Sequence, residues 1–265
     1  MHEIDFNLDL RKFDLIDGER KELIYQIDPD SQSIIQKQWH IELWNRNFCG
    51  KHLFQLKESE LKDDNPKEVF MDDLDSKKRY SSDWMNSCYT HYKEYQGKVN
   101  HEKFTEPDNI REFETLTHTM GNYIIFPRHV NSINTERGRY NGRIKDRFDL
   151  TLECIRRFYK KEYSPLFDTL KKDSEFFEKF KDSNGKMNFK KYVDFFFLQD
   201  LIEDYDENDE DCIDKKIKYF IPSENWEVGD NIPFKTESWF KEYLQNVINF
   251  ITKRTERMKN ELLLS

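Results

Sequence analysis

The chain has no alanine among its 265 residues, and it has only 8 glycines, 7 prolines and 4 cysteines. The cysteines have no close spacing and no Cys-x-x-Cys pair, so the sequence indicates neither a zinc site nor a disulfide framework. No segment approaches the roughly 18 consecutive apolar residues of a transmembrane helix. The acidic N-terminus also lacks the apolar run of a signal peptide. These absences predict a soluble protein of a reducing cytoplasm, with no membrane contact.

Charged residues of both signs are abundant, and aromatic residues are common. Asp and Glu number 52 against 43 Lys and Arg, and the net charge of -9 argues against a globally basic nucleic-acid binder. Hydrophobic residues make up only 36%, but the 22 Phe, 13 Tyr and 5 Trp argue against disorder, because disordered chains are poor in aromatics. We expect a folded core of aromatics with Leu and Ile beneath a charged surface.

The first half of the chain has patterns typical of strands and turns. Apolar residues alternate from Ile4 to Leu10, and Gly121-Asn122 is an acceptable two-residue turn. The predicted elements are a strand over 4–10, a helix that Ser31 caps and that extends to about 43, a strand over 48–56, a charged surface excursion over 57–80, and a hairpin of 113–119 with 123–126. Residues 81–109 are ambiguous.

The second half has patterns typical of helices. The predicted elements are helices over 143–161, from 164 onwards and over 237–260, a turn at 184–185, a solvated acidic loop over 203–214 and a short strand over 217–221. Strands therefore come first and helices later, which predicts an α+β fold. We expect one domain over 1–265, strand-rich over 1–127 and helix-rich over 143–265. Its N-terminal antiparallel strands and hairpin would pack against the C-terminal helices.

Residues 126–147 form a locally basic segment, with six basic and two acidic residues. Arginine can grip phosphate in bidentate fashion, and glycine lets the backbone approach a ligand closely. The segment also leads into a predicted helix N-terminus, where free N–H groups favour anions. The candidate substrate-binding residues are Asn134, Arg137, Arg139 and Arg143, together with Arg156. A solvated loop that pairs with the acidic surface and a protein interface are the alternatives.

The predicted helix from 144 carries the candidate catalytic residues Arg147, Asp149 and Glu153. Arg147 falls at the edge of the apolar arc, so we expect it to be mostly buried and paired with a carboxylate, either as a structural salt bridge or as a ligand-gripping arginine. Asp149 and Glu153 share the polar arc and are candidates for a general base or a metal ligand. The alternative for Glu153 is ion pairing with Arg156 or Arg157.

Other constellations are weaker. A calcium loop starting at Asp204 fails, because Asp209 and Lys215 stand where an EF-hand needs Gly and Glu. We interpret His118 and His129 as surface or core histidines, and a role of either one as a catalytic acid or base is the alternative. No nucleotide-binding or hydrolase motif is present, so we assign no metal and no cofactor.

Two stretches resemble the signature of an uncharacterised bacterial family. They are Ser-Ile-Asn-Thr-Glu-Arg-Gly at 132–138, around Asn134, Arg137 and Gly138, and the run from Asp146 to Arg157. The likeness continues at 164–166, 193–201 and 217–222, and earlier at 43–44 and 121–127, so it covers most of the chain. The resemblance implies no activity or cofactor. Members usually have His where this chain has Phe158, so the resemblance implies no acid–base role at that position.

The leading hypothesis is an intracellular enzyme that acts on a phosphate-bearing substrate, a nucleotide or RNA, in a defence- or toxin-like role. Arginines would hold the anion, and Asp149 or Glu153 would move the proton. The alternative is a non-catalytic binding or regulatory protein whose basic loop docks an acidic protein partner. ADP-ribosyl transfer is a lesser alternative. A cleft lined by Arg137, Arg147 and Asp149 would favour the enzyme, and a flat basic surface would favour binding.

Overall fold

The structure, a computed structural model, describes residues 4–59, 70–86, 107–128, 147–221 and 237–264. All the strands in these ranges lie before residue 128, and the longest helix lies at the C-terminal end. The fold is therefore α+β, as the order of the sequence patterns predicts.

The strands form two hairpins and one larger antiparallel sheet. The hairpins are β1 (Phe13–Ile16) with β2 (Glu19–Glu22), and β3 (Asn47–Phe48) with β4 (Lys51–His52). The sheet has the order β5 (Leu56–Glu58), β6 (Met71–Asp73), β7 (Arg79–Trp84) and β8 (Tyr123–Pro127). β8 is buried along its whole length and pairs with β7 in the register Ser82↔Ile125. The sheet edge at β8 is thus the part enclosed by the helices.

Eight α-helices occur in the described ranges. They are α1 (Pro29–Gln32), α2 (Ile34–Trp44), α3 (Ile110–Leu116), α4 (Phe148–Lys160), α5 (Phe167–Lys172), α6 (Ser174–Phe177), α7 (Phe189–Phe195) and α8 (Glu237–Leu264). α8 has 28 residues and packs on α3 and on the short 3-10 turn at Met120–Asn122. A Cβ at Gly121 would lie 2.1 Å from Thr255 Oγ1, so only glycine permits this close approach.

Two elements near the N-terminus differ from the prediction. Residues 4–10 form turns instead of a strand: the backbone N–H of Leu8 donates to the carbonyl of Asp5 at 3.1 Å, and that of Leu10 to the carbonyl of His118 at 3.0 Å. The alternating apolar residues are nevertheless buried, so their pattern marks burial without strand pairing. Ser33, not Ser31, caps α2, where its Oγ accepts from the backbone N–H of Gln36 at 3.1 Å.

The predicted hairpin around Gly121-Asn122 is wrong. Residues 110–116 form α3, and β8 pairs with β7, some forty residues earlier in the chain. The predicted strand over 48–56 is interrupted by a turn at Cys49-Gly50, where both residues have left-handed φ values of 52° and 83°. The excursion predicted over 57–80 contains β6 and the start of β7. Residues 217–221 form only an isolated bridge from Ile217 to Ile202.

The core is one cluster of buried side chains that extends from Ile4 to Met258. Its centre is aromatic, as predicted: the ring of Trp44 lies 5.0 Å from that of Phe196, and Phe180 lies 5.1 Å from Tyr192. The turn at 184–185 and the acidic loop over 203–214 are confirmed. None of the helices in the described ranges is long and apolar enough to cross a lipid bilayer.

Candidate functional site

Arg147 is the N-cap residue of α4. Its backbone is extended (φ -140°, ψ 120°) and the residue is 2% exposed. Its Nε donates to Asp149 Oδ1 at 3.0 Å, and its Nη2 donates to Asp149 Oδ2. The guanidinium also lies 5.7 Å from the ring centroid of Tyr243 in α8. The predicted burial of Arg147 and its pairing with a carboxylate are confirmed.

Asp149 connects α4 to two other parts of the chain. The residue is completely buried, and its Oδ2 also accepts from the backbone N–H of Phe220 at 2.8 Å. The carbonyl of Phe220 in turn accepts from Asn246 Nδ2 in α8 at 2.7 Å. The Arg147–Asp149 pair therefore fixes the start of α4 against the segment before residue 221 and, through that segment, against α8.

Glu153 is held by two arginines of the same helix. Arg156 donates to Glu153 Oε2 through Nε at 2.8 Å and to Oε1 through Nη2 at 3.0 Å, and Arg157 Nε donates to Oε1 at 2.7 Å. The hydrogen bonds to Glu153 raise the pKa of Arg156. Arg156 Nη1 also donates to the carbonyl of Ile213 at 3.0 Å, which ties the acidic loop to α4. The predicted pairing of Glu153 is confirmed for both arginines.

The polar arc of α4 is buried at Asp149 and Glu153. Every residue from Phe148 to Ile155 is buried, because the chain around Ile213 and Phe220 covers the arc that the helical period assigns to solvent. Asp149 and Glu153 already accept hydrogen bonds on both carboxylate oxygens. This is the geometry of structural ion pairs. A proton transfer from a substrate to either carboxylate would require the arginines to release it.

An asparagine network precedes α4 and has no signature in the sequence. Asn86 Oδ1 accepts from the backbone N–H of Phe148 at 3.3 Å, and Asn86 Nδ2 donates to Asn122 Oδ1 at 2.9 Å. Asn122 Nδ2 donates to the carbonyls of Thr117, at 2.9 Å, and Met85. Asn86 has a left-handed φ of 58°, a conformation that asparagine tolerates better than most residues. The network joins the sheet, the 3-10 turn and α4.

Arg254 and His40 form a second buried site, here called the cationic centre. Arg254 is completely buried, and its Nη1 donates to the carbonyls of Gly121 and Tyr123 at 2.7 and 3.0 Å. Its guanidinium lies 4.8 Å from the ring centroid of Phe148, and burial lowers its pKa. No carboxylate of the described residues forms a salt bridge with it. Its charge is thus balanced by carbonyl dipoles and an aromatic face.

The His40 ring is neutral because of its surroundings. Trp44 Nε1 donates to His40 Nδ1 at 2.8 Å, so Nδ1 is an acceptor and Nε2 carries the hydrogen that reaches Ser82 Oγ at 2.9 Å. Burial, with a smaller contribution from Arg254, lowers the pKa of His40 to about 3. The predictions from the sequence named neither His40 nor Arg254 as important, because their hydrogen-bond partners Ser82, Gly121 and Tyr123 are distant in the sequence.

His118, Cys154 and Cys212 are buried and do not form a reactive site. His118 is buried, and its Nδ1 donates to the carbonyl of Glu114 at 2.7 Å. Burial lowers the pKa of His118 to about 4. Cys154 and Cys212 are free thiols whose pKa burial raises to about 12, which makes them poor nucleophiles. Across the described ranges, no three His, Cys, Asp or Glu residues could together hold a metal ion.

One group of carboxyls lies at the start of α1, beside the end of β7. Asp30 Oδ2 accepts from the backbone N–H of Trp84 at 3.4 Å. Burial raises the pKa of Asp30 well above its ordinary value, and the neighbouring carboxyls of Asp28 and Asp83 raise it further. Asp30 therefore favours its protonated form. This group was not singled out by the sequence patterns, because Asp83 comes from a distant strand.

Several predicted site residues lie outside the described ranges. These are the four substrate-binding candidates Asn134, Arg137, Arg139 and Arg143, and also His129. Arg128, at the start of the basic segment, is exposed, with its guanidinium 4.8 Å from the ring centroid of Phe70. Among the described candidates, the structure brings Arg147 to Asp149 and Arg156 to Glu153.

Comparison with known proteins gives one family and no activity. The model of a family of unknown function, DUF6994, matches residues 4–258, so the chain belongs to that family. Searches of curated proteins and of solved structures return no match. The likeness noted at 132–138 and 146–157 therefore reflects family membership, and the family carries no established chemistry to transfer.

Proposed function

We propose that this protein binds a phosphate-bearing ligand, a nucleotide or RNA, through the basic segment 126–147. The carboxylates of α4 serve as scaffold for that segment and do not move protons. The observation that supports the proposal is the position of Arg147. It ends a locally basic stretch of an acidic chain and is fixed by a buried carboxylate.

The fixed end of the segment matters for affinity. Binding a charged ligand with an unanchored loop costs ordering entropy, and anchoring reduces that cost. Arg147 is anchored by Asp149, and the next residue, Phe148, is anchored through its N–H to Asn86. The remaining arginines of the segment, Arg137, Arg139 and Arg143, would then supply the contacts to phosphate, where each bidentate pair adds both strength and direction.

Two related hypotheses have less support. In the enzymatic version of the proposal, Asp149 or Glu153 transfers a proton, and the ion pairs around them oppose this. Docking of an acidic protein partner by the same segment would need the same arginines, so a binding assay must include both ligand types. The proposal places the protein in the cytoplasm, where the thiols of Cys49, Cys154 and Cys212 stay reduced.

The test is binding of a fluorescently labelled nucleotide and of a labelled single-stranded RNA to the full chain. We expect Arg137→Glu and Arg139→Glu each to weaken binding at least tenfold, because each replaces an attraction by a repulsion. Lys21→Glu is the control, since it makes the same charge change on the exposed hairpin strand β2. Affinity should also fall steeply as salt rises.

The binding proposal is wrong if neither Arg137→Glu nor added salt changes the affinity, or if Lys21→Glu weakens it equally. If an acidic peptide binds in the same salt-dependent way while nucleotide and RNA do not, the segment is a protein-docking surface instead.

A further inference from the structure

A cavity of about 520 Å³ lies between the N-terminal turn and three other elements. Its lining comes from residues 4–7, Arg20 in β2, Ile35 and Trp39 in α2, and Lys259 in α8. The volume is in the range of about 300–1,000 Å³ that is typical of small-molecule sites. None of these residues belongs to the α4 ion pairs or to the basic segment 126–147.

Two cations from different elements reach this cavity. Arg20 Nη1 lies 3.2 Å from Asp5 Oδ2, and Lys259 Nζ donates to Asn7 Oδ1 at 3.3 Å. The turn that carries both partners is itself ordered, because the N–H of Asn7 donates to Asp5 Oδ1 at 3.1 Å. With two cations and one carboxylate, the lining is locally positive in a chain of net charge -9. Arg20 remains exposed and Lys259 half-buried, so a ligand can reach them.

We propose that this cavity binds a small organic anion. Its acid group, a carboxylate or a phosphate monoester, lies between Arg20 and Lys259, and its apolar part faces Phe6 and Trp39. The two cations favour a ligand with an anionic oxygen group. The volume is far larger than a phosphate ion, so an organic body completes the fit.

The experiment measures the binding of three probes, benzoate, phenyl phosphate and inorganic phosphate, to the full chain. Binding is followed by ligand-observed NMR and by the shift in melting temperature. We expect saturable binding of at least one aromatic anion, a rise in melting temperature that grows with probe concentration, and weaker binding at high salt. Arg20→Gln and Lys259→Gln should each weaken binding about tenfold, which corresponds to one charge-assisted hydrogen bond.

Matched controls keep the test specific. Lys21→Gln changes the neighbouring residue on β2, and Lys253→Gln changes an exposed lysine of α8; neither lines the cavity. Both should keep the affinity within about twofold. The proposal is overturned if no aromatic anion binds saturably, if the controls weaken binding as much as Arg20→Gln, or if inorganic phosphate binds as tightly as phenyl phosphate. Arg137→Glu should leave this binding unchanged, so the outcome is independent of the function proposed for the basic segment.

Discussion

The α4 ion pairs and the cationic centre bury arginine in opposite ways. Arg147 lies against a carboxylate that shares its burial, whereas Arg254 lies against carbonyl oxygens and the ring of Phe148. In the first region, opposite charges cancel each other. In the second, the charge is spread over dipoles, and the neighbouring His40 stays unprotonated. A buried arginine therefore needs acceptors but not an acid, and the two solutions differ in how they respond to mutation and to pH.

The largest expected effect comes from breaking the first region. Asp149→Ala removes the buried carboxylate that pairs with Arg147 and the acceptor of the Phe220 N–H. We expect a loss of about 3–5 kcal/mol in the free energy of unfolding, measured by urea denaturation. Asp168→Ala, at an exposed first-turn position of α5, is the control and should change stability by less than about 0.5 kcal/mol.

A milder variant, Asp149→Asn, tests the same region. If Asp149 were solvent-exposed, Asp149→Asn would be nearly neutral. In the structure it weakens the Arg147 pair, so we expect a clear loss of stability. A double variant, Arg147→Met with Asp149→Leu, should recover much of the loss, because it removes both charges together. Equal stability of Asp149→Asn and wild type would contradict the structural role and restore the catalytic hypothesis for Asp149.

The sequence predicts helices and core composition better than it predicts contacts between residues that are distant in the chain. The period of α8 and the aromatic core depend on local pattern and composition, and both are confirmed. The β7–β8 pairing and the Asn86–Asn122 bond join residues about forty positions apart, and no local pattern encodes them. The helical period places Arg147 inside a helix, but Arg147 is the N-cap residue. Its extended backbone turns the side chain onto the first turn of α4.

A smaller effect, the loss of stability at acidic pH, distinguishes the cationic centre from the α4 ion pairs. The pKa of His40 is about 3 in the fold and ordinarily about 6.5, so between these values the unfolded chain binds a proton that the folded chain does not. His40 should therefore make stability fall as the pH drops below 6.5, by about 1.4 kcal/mol per pH unit while the fold keeps its ring neutral, and His118, whose pKa burial lowers to about 4, should add a similar slope. His40→Gln, which can still donate to Ser82, should lose less stability between pH 6.5 and 4.5 than wild type does.

The measurements for His40 are thermal unfolding at several pH values and an NMR titration of the ring. His52→Gln, on the exposed strand β4, is the control and should keep the acid sensitivity of wild type. A ring signal of His40 that titrates near pH 6.5 would show that the centre does not hold it neutral. The contribution of Arg254 is tested by Arg254→Met, which should raise the pKa of His40 only in part, because burial is the larger cause.

The smallest expected effect is a gain, and it comes from a region where like charges meet. Burial and the carboxyls of Asp28 and Asp83 raise the pKa of Asp30. The fold therefore favours the protonated form of Asp30, and this contribution is complete below the ordinary pKa near 3.8 and is lost as pH rises through the folded value.

Asp30→Asn is neutral at every pH and can still accept from the N–H of Trp84. We expect it to raise stability by about 1 kcal/mol at pH 8 and to leave it unchanged near pH 3. Asp168→Asn, on the exposed surface of α5, should show no such pH dependence. A loss of stability for Asp30→Asn at pH 8 would mean that the ionised carboxylate is required, and that this third region depends on charge as the α4 ion pairs do.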